Sequence, residues 1–405
     1  MIKNDKKLII VAHASTGSGH TIAAEAISAE LEKVYPQAQV QTVDILDYFT
    51  KDSSGEKFVS AVSGALAPIY DHTWRNNFTG KILWGGGNLW PSFLYKEFED
   101  YLIWQQPDVI ICTHQVCANV AAKVRSKIDH PMAIVSVPTD YETEGLWPHK
   151  HTDLFCVANE EMALTLASRK ISNHHILVTG LPVEETFGKR ISKASARNKL
   201  GLPKDKKIAL VIVGAKESGP YKNIRKTIND CIKLFSQMDW MHFIFCVGAD
   251  GNYASKLIKK SNRFKAKNIT VLTYTDNLPA LMAASDIALI KPGGLIITEC
   301  ADARLPIILV GKTYAQENIN RRYLVSMDAA EHALTYKGVV NLLSDIFTDE
   351  DRYKMLKKNL KNISKNNAAE NIANAVKDIL ENGSFIGEKH SKLSLYFGEN
   401  PAHTR

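Results

Sequence analysis

Lys291-Pro292-Gly293-Gly294-Leu295, with Glu299 five residues past the glycine pair, are the residues whose types and spacing point most directly to chemistry. The run Ser285-Asp286-Ile287-Ala288-Leu289-Ile290 before them is apolar and bounded by turn formers, which predicts a short buried strand. Leu295, Ile296 and Cys300 after them fall at helical spacing. Pro292-Gly293-Gly294 is therefore expected to turn the chain from the carboxyl end of a strand into a helix. Glycines let a ligand come close to the backbone. A helix start offers unpaired N–H groups and partial positive charge, which suits a phosphate. Glu299 lies about 8 Å further along the helix axis, a distance at which a carboxylate can accept hydrogen bonds from a ribose whose phosphates sit at the helix mouth. An ordinary strand-to-helix turn followed by a solvated glutamate has the same spacing.

The elements that must carry this turn repeat along the chain. Leu8 to His13 reads as a strand, Ser15 to His20 as a Gly-rich turn, Thr21 to Val34 as a helix and Val40 to Ile45 as a second strand. That opening predicts a parallel sheet covered by helices. Strand-like runs resume at Asp108–Cys112, Met132–Val137, Leu154–Val157 and His175–Val178, with a helix expected from Val116 to Ile128. A second series follows at Ile208–Gly214, Phe243–Gly248, Ile269–Leu272, Ile287–Ile290 and Ile307–Val310. The expected fold class is α/β, with two Rossmann-like domains, 1–185 and 186–348. Helices are expected over 349–383 and a mobile tail over 384–405. Ligands of doubly wound sheets bind outside the carboxyl ends of the strands, so a cleft between the two domains is the expected site.

Residues 58–104 break the rhythm. Trp74, Trp84, Trp90 and Trp104 fall here, with Arg75, Lys81 and Lys96 interleaved. Indole rings favour the headgroup boundary of a bilayer, so the insert suits a membrane interface or a greasy acceptor; a helical subdomain packed by aromatics has the same composition. The chain has 405 residues, 45% hydrophobic and 23% charged, ordinary values for a globular protein. No apolar run reaches the ~18–20 residues of a membrane span. Leu8-Ile9-Ile10-Val11 is too short for a secretion signal. Six cysteines without a CxxC pair suggest reduced thiols in the cytoplasm. A formal charge of +7 favours anionic partners, among them a nucleotide or an anionic membrane surface. Recognisable nucleic-acid modules are missing, so no nucleic acid is expected as a partner.

Taken in order, four motifs resemble those of the monogalactosyldiacylglycerol synthase and processive diacylglycerol glucosyltransferase group, within the MurG-type lipid glycosyltransferases. They are Gly17-Ser18-Gly19-His20; Thr139-Asp140-Tyr141 with Trp147; Gly180-Leu181-Pro182-Val183; and Lys291-Pro292-Gly293-Gly294 with Glu299, Gln316, Glu317 and Asn320. The resemblance covers about Leu8 to Glu370. It implies a GT-B architecture, with the lipid acceptor in the first domain and a UDP-sugar in the second. It also implies that Glu299 holds the ribose, that Gly293, Gly294 and the backbone at Leu295 hold the diphosphate, that Gln316 and Glu317 face the sugar hydroxyls, and that Tyr274 lies beside the uracil. Gly19, Trp74, Trp84, Trp90 and Trp147 would face the acceptor or the membrane, and the helices of 349–383 would cross back to the first domain. Two departures stand out. Tyr314-Ala315 replaces the family's Pro-Gly before Gln-Glu, and the loop from Gly214 to Gly219 is less glycine-rich than usual.

The implied reaction moves glucose or galactose from the UDP-sugar to diacylglycerol or a related membrane lipid, with inversion. The attacking hydroxyl must lose a proton and the leaving diphosphate must be stabilised. His20, whose type titrates near working pH, is the expected base. Asp140 is the rival, or it orients His20. His149 and His151 read as solvated. No metal-ligating cluster is read from the sequence, so no metal and no cofactor are expected. The expected location is the cytoplasm, at the inner face of the cell membrane. Alternatives are a UDP-sugar 2-epimerase-like isomerase, a UDP-N-acetylglucosamine transferase acting on a polyprenyl-linked acceptor, and a non-catalytic UDP-sugar sensor.

Overall fold

The computed structural model describes residues 6–15, 18–48, 95–142, 147, 150–189, 191–214, 222–313, 315–365 and 367–383. They form two compact units: one runs to Glu184 and resumes at Lys365, and the other runs from Glu185 to Ser364. Most of the aromatic insert, with Trp74, Trp84 and Trp90, lies outside the described residues.

The first unit holds β1 (Leu8–His13), α1 (Ser18–Val34), β2 (Gln39–Asp44), α2 (Lys96–Gln105), β3 (Val109–Cys112), α3 (Gln115–Val124), β4 (Ala133–Ser136), β5 (Leu154–Val157), α4 (Glu160–Ser168) and β6 (Ile176–Val178). Its strands lie in the order β2-β1-β3-β4-β5-β6, all parallel. Every residue of β3 and β5 is buried, the continuous apolar run that a sheet covered on both faces requires. Ala23, Ala24, Ile27 and Leu31 place one stripe of α1 against that sheet. The helix begins at Ser18, three residues earlier than the sequence implies. Ser18 and Gly19 are admitted because the N–H groups of a first turn need no intrahelical partner. Conversely, α3 stops at Val124. A 3-10 turn, Arg125–Lys127, follows it, and the Arg125 guanidinium is bonded to the His151 carbonyl and the Asp153 carboxylate.

The second unit holds α5 (Lys193–Leu200), β7 (Lys207–Ile212), α6 (Lys222–Phe235), β8 (Met241–Cys246), α7 (Gly251–Arg263), β9 (Ile269–Leu272), α8 (Leu278–Ala284), β10 (Ile287–Ile290), α9 (Gly294–Asp302), β11 (Ile307–Val310), α10 (Ala315–Ser326), β12 (Ala330–Ala333), α11 (Tyr336–Thr348) and α12 (Glu350–Ile363). The sheet order is β12-β11-β10-β7-β8-β9, again all parallel. The chain builds outward from β7 through β9, then returns to the other side of β7 with β10, as in a dinucleotide-binding fold. The buried Asp286 carboxylate staples α5 to this sheet. It accepts from Arg197 Nη2 and from the Ile208 N–H, each at 2.7 Å.

The helices of 349–383 divide between the units. α12 packs Leu356 into the core of the second. After Ser364 the chain re-enters the first unit, where α13 (Ala368–Asn382) buries Ile372, Ala373 and Val376 in the core shared with α1. Gly180 and Lys365 meet where the chain leaves and rejoins that unit. Gly180 has φ +85°, and a Cβ there would collide with that of Lys365, so conformation and space both require glycine. The Lys365 ammonium is bonded to the Glu160 carboxylate at 2.9 Å.

Candidate active site

Each sheet has a place where successive connections run to opposite sides, and a crevice opens there beyond the carboxyl ends of the strands. In the first unit the crevice lies at β1 and β3. His20, in the first turn of α1, reaches across to the residue after β3. Its Nδ1 lies 2.8 Å from the Thr113 carbonyl oxygen and 3.1 Å from Thr139 Oγ1, and the Thr113 hydroxyl donates back to the His20 carbonyl at 3.0 Å. A carbonyl only accepts, so His20 Nδ1 carries the proton and Nε2 carries the basic lone pair. Burial pushes the His20 pKa down to about 4; the Thr113 bond pulls it up, and the nearby His13 lowers it further. The ring is therefore neutral at physiological pH. His114 stands edge-on to His20 with ring centres 4.7 Å apart. Burial, then His20 and His13, hold it well below its usual value.

Thr139 brings the Thr-Asp-Tyr loop onto this histidine. Asp140 follows it directly and is half-buried, while Tyr141 is buried. Trp147 is also buried, at 5% exposure, so its ring packs inside the unit rather than standing at the surface. Gly19 lies beside His20 in the same helical turn. His151 is exposed, and His149 lies outside the described residues.

In the second unit the crevice lies at β7 and β10. Gly214 follows β7, and Lys291-Pro292-Gly293 connects β10 to α9. Gly293 is the N-cap of α9, and no side chain caps the helix there. Its φ of −79° suits any residue. A Cβ on Gly293 would meet only ordinary contacts, Ile296 Cγ2 at 3.6 Å and Lys291 Nζ at 4.0 Å, and one on Gly214 would meet nothing within 4 Å. Neither glycine is required by the protein's own packing. Both leave backbone bare at the helix mouth, as close approach of a phosphate demands. The Lys291 ammonium is held 2.8 Å from Glu317 Oε1, and Asn320 Nδ2 donates to the Pro292 carbonyl at 3.0 Å. Glu317 and Asn320 thus fix the turn from α10, where Gln316 is half-buried beside them. Glu299 is 3% exposed in α9. Tyr274, after β9 on the same carboxyl edge of the sheet, is 74% exposed.

The structure therefore joins His20 to Thr139, and Lys291 and Pro292 to Glu317 and Asn320. Three contributors are not apparent from sequence reasoning: Thr113, His114 and Arg225. Arg225 is buried and donates to the Gly214 carbonyl at 2.6 Å and to Asp250 at 2.7 Å. The signal for the first two was their place directly after an apolar strand, where crevice residues of a doubly wound sheet fall. Among the described residues, no group of three or more His, Cys, Asp or Glu side chains is arranged to hold a metal ion. No helix among them is long and apolar enough to cross a membrane.

Comparison with known proteins gives two family matches in succession along the chain. Residues 20–183 match the family model of monogalactosyldiacylglycerol (MGDG) synthase, and residues 208–382 match the glycosyltransferase family 28 C-terminal domain. A processive diacylglycerol beta-glucosyltransferase of Bacillus licheniformis is 25% identical over 398 residues, 95% of this chain and 98% of that protein. A protein of the same name from Bacillus mycoides is 23% identical over 384 residues, 93% and 94% of the two chains. Among solved structures, S. aureus MnaA with UDP superposes with a TM-score of 0.60 at 14% identity, covering 92% of this chain and 97% of that one. Acinetobacter baumannii MurG does so with 0.58 at 14% identity, covering 92% and 99%. The chain thus has the GT-B fold, and similarity to full-length relatives extends over nearly its whole length. The chain is a UDP-sugar-dependent glycosyltransferase whose first part is similar to monogalactosyldiacylglycerol synthase and whose second part is similar to the glycosyltransferase family 28 C-terminal domain.

Proposed function

We propose that the protein transfers glucose or galactose from a UDP-sugar to diacylglycerol or a closely related membrane lipid, with inversion at the sugar's C1. The observation that carries this reading is the state of His20: Nδ1 is tied to the Thr113 carbonyl, and a pKa lowered to about 4 leaves Nε2 free of a proton at working pH. Such a nitrogen is unprotonated and open to the proton of an attacking hydroxyl, and burial makes it a weaker base than the ordinary imidazole that the residue type alone suggests. Asp140, one residue past Thr139, supports the same loop and is the rival base. The beta-glucosyltransferase names of the relatives agree with inversion, because attack on an α-linked donor from the opposite face yields a β-glycoside.

On the donor side, the bare start of α9 takes the diphosphate through its N–H groups and dipole, and Glu299 accepts from the ribose. Lys291 adds positive charge beside the leaving group. Gln316 and Glu317 meet the sugar hydroxyls, and Tyr274 meets the uracil. Charge on the departing UDP is met by these groups without a metal, so a chelator is expected to leave the rate unchanged. The acceptor resides in a bilayer. The protein therefore works at the inner face of the cell membrane, through the aromatic and basic stretch 58–104 and its overall charge of +7.

The test is direct. Purified protein is incubated with a panel of labelled UDP-sugars and vesicles containing diacylglycerol and anionic lipid, and the lipid extract is analysed. A β-hexosyl diacylglycerol is expected. No labelled lipid from any donor, together with isomerisation of free UDP-N-acetylglucosamine, would replace transfer with epimerisation.

A further inference from the structure

His114 sits on the turn out of β3, edge-on to His20, with the ring planes at 85°. Two backbone contacts fix the protons of these rings in opposite senses. The Val116 N–H donates to His114 Nδ1 at 3.2 Å, so Nδ1 carries a lone pair and, in the neutral ring, Nε2 carries the proton. His20 Nδ1 donates to the Thr113 carbonyl, so its lone pair is on Nε2. Burial depresses both imidazoles, which keeps both neutral at pH 7. One ring is held as an acceptor and its neighbour as a donor. A helix cap alone does not call for this. Asn, Asp, Ser or Thr would accept from Val116 at least as well, and none of them carries a ring N–H on the far side.

We propose that His114 orients the acceptor alcohol, its Nε2–H donating to the oxygen of the hydroxyl whose proton His20 Nε2 removes. The inference rests on the assignment of His20 as base. A hydroxyl has one hydrogen and two lone pairs. With the hydrogen directed at His20 and one lone pair held by His114, the remaining pair is the one left to attack. The new bond joins that oxygen to C1 of the donor sugar. The bond from C1 to the diphosphate oxygen breaks, its electron pair leaves on UDP, and the proton passes to His20 Nε2. The pair fits a ligand that both donates and accepts through one atom, as a hydroxyl group does.

His114→Asn tests this, because asparagine still caps α3 and the ring N–H is gone. The expected variant melts like the parent and binds UDP with unchanged affinity by calorimetry. Its KM for the donor is unchanged, while kcat/KM for the lipid acceptor falls about tenfold, the worth of one hydrogen bond. Parental kcat/KM for the acceptor in that variant overturns the proposal. His20→Ala, assayed alongside, separates the two claims. If it turns over normally, the base assignment fails and this inference fails with it. If it is inactive while His114→Asn is fully active, only the role of His114 fails. A second readout needs no activity: nitrogen-15 NMR of histidine-labelled protein at pH 7 should show the proton on Nε2 of His114 and on Nδ1 of His20. A proton on Nδ1 of His114 overturns the proposal.

Discussion

A single backbone carbonyl, that of Thr113, decides what His20 can do. By accepting from Nδ1 it selects the tautomer, and burial then removes the competing protonated form. The sign of the pH dependence follows. A base with pKa about 4 is competent above that value and is lost as pH falls through it. The acid limb of log kcat/KM is therefore expected near pH 4. A limb at the ordinary histidine value of 6.5 would show that the ring is not held as described. The Gly-Ser-Gly-His run was legible as a candidate site because glycines and a histidine at a strand's end have few other reasons to occur together. The partners that set the tautomer were not legible. Thr113 lies 93 residues away in the chain and acts largely through its backbone, which leaves no side-chain signature.

At the scale of the element, α9 carries the proposed donor site at one end and a buried carboxyl, that of Asp302, at the other. Glycine at 293 is needed by neither φ nor packing. Gly293→Ala is accordingly expected to leave the melting temperature nearly unchanged while weakening UDP binding at least tenfold, read by calorimetry, because the methyl intrudes on the phosphate's approach. A Tm loss with intact affinity would mean that the glycine is structural. At the far end, burial raises Asp302 to about 6 from 3.8, and a hydrogen bond from Ser364 pulls the other way. The folded state then holds a proton that the unfolded state has released. The cost of ionising Asp302 is absent below 3.8 and fully present above about 6. Asp302→Asn should raise the melting temperature at pH 8 and leave it unaltered at pH 3.5; equal shifts at both would remove the ionisation argument. Strand–turn–helix order around Pro292 was readable from apolar runs and turn formers alone. The helix boundaries at Ser18 and Val124 were not. The first depends on tolerance of glycine in a first turn, and the second on Arg125 bonds to residues far along the chain.

For the whole molecule, the alternation of buried runs with helical spacing was enough to foresee two Rossmann-like units, because parallel strands buried on both faces cannot hide their composition. Strand order was not in that pattern. It is set by which neighbour each strand pairs with, as when β10 returns beside β7 across 74 intervening residues, Val213 to Asp286. The return of α13 to the first unit is likewise a matter of packing: Ile372, Ala373 and Val376 share a core with Ile9, Val11 and Ile27 at the other end of the sequence. Ile372→Ala should cost about 2–5 kcal/mol of the first unit's stability in denaturant titration. A negligible change would mean that the C-terminal helix is peripheral. The central claim joins this architecture to chemistry: His20 deprotonates a lipid hydroxyl for attack on a UDP-linked hexose. Its most direct measurement is glycolipid formation by the parent and by His20→Ala, with UDP-hexose and diacylglycerol vesicles, and with UDP affinity taken on the same samples. The account predicts unchanged UDP binding and turnover reduced at least a hundredfold in the variant. Turnover near that of the parent would contradict it.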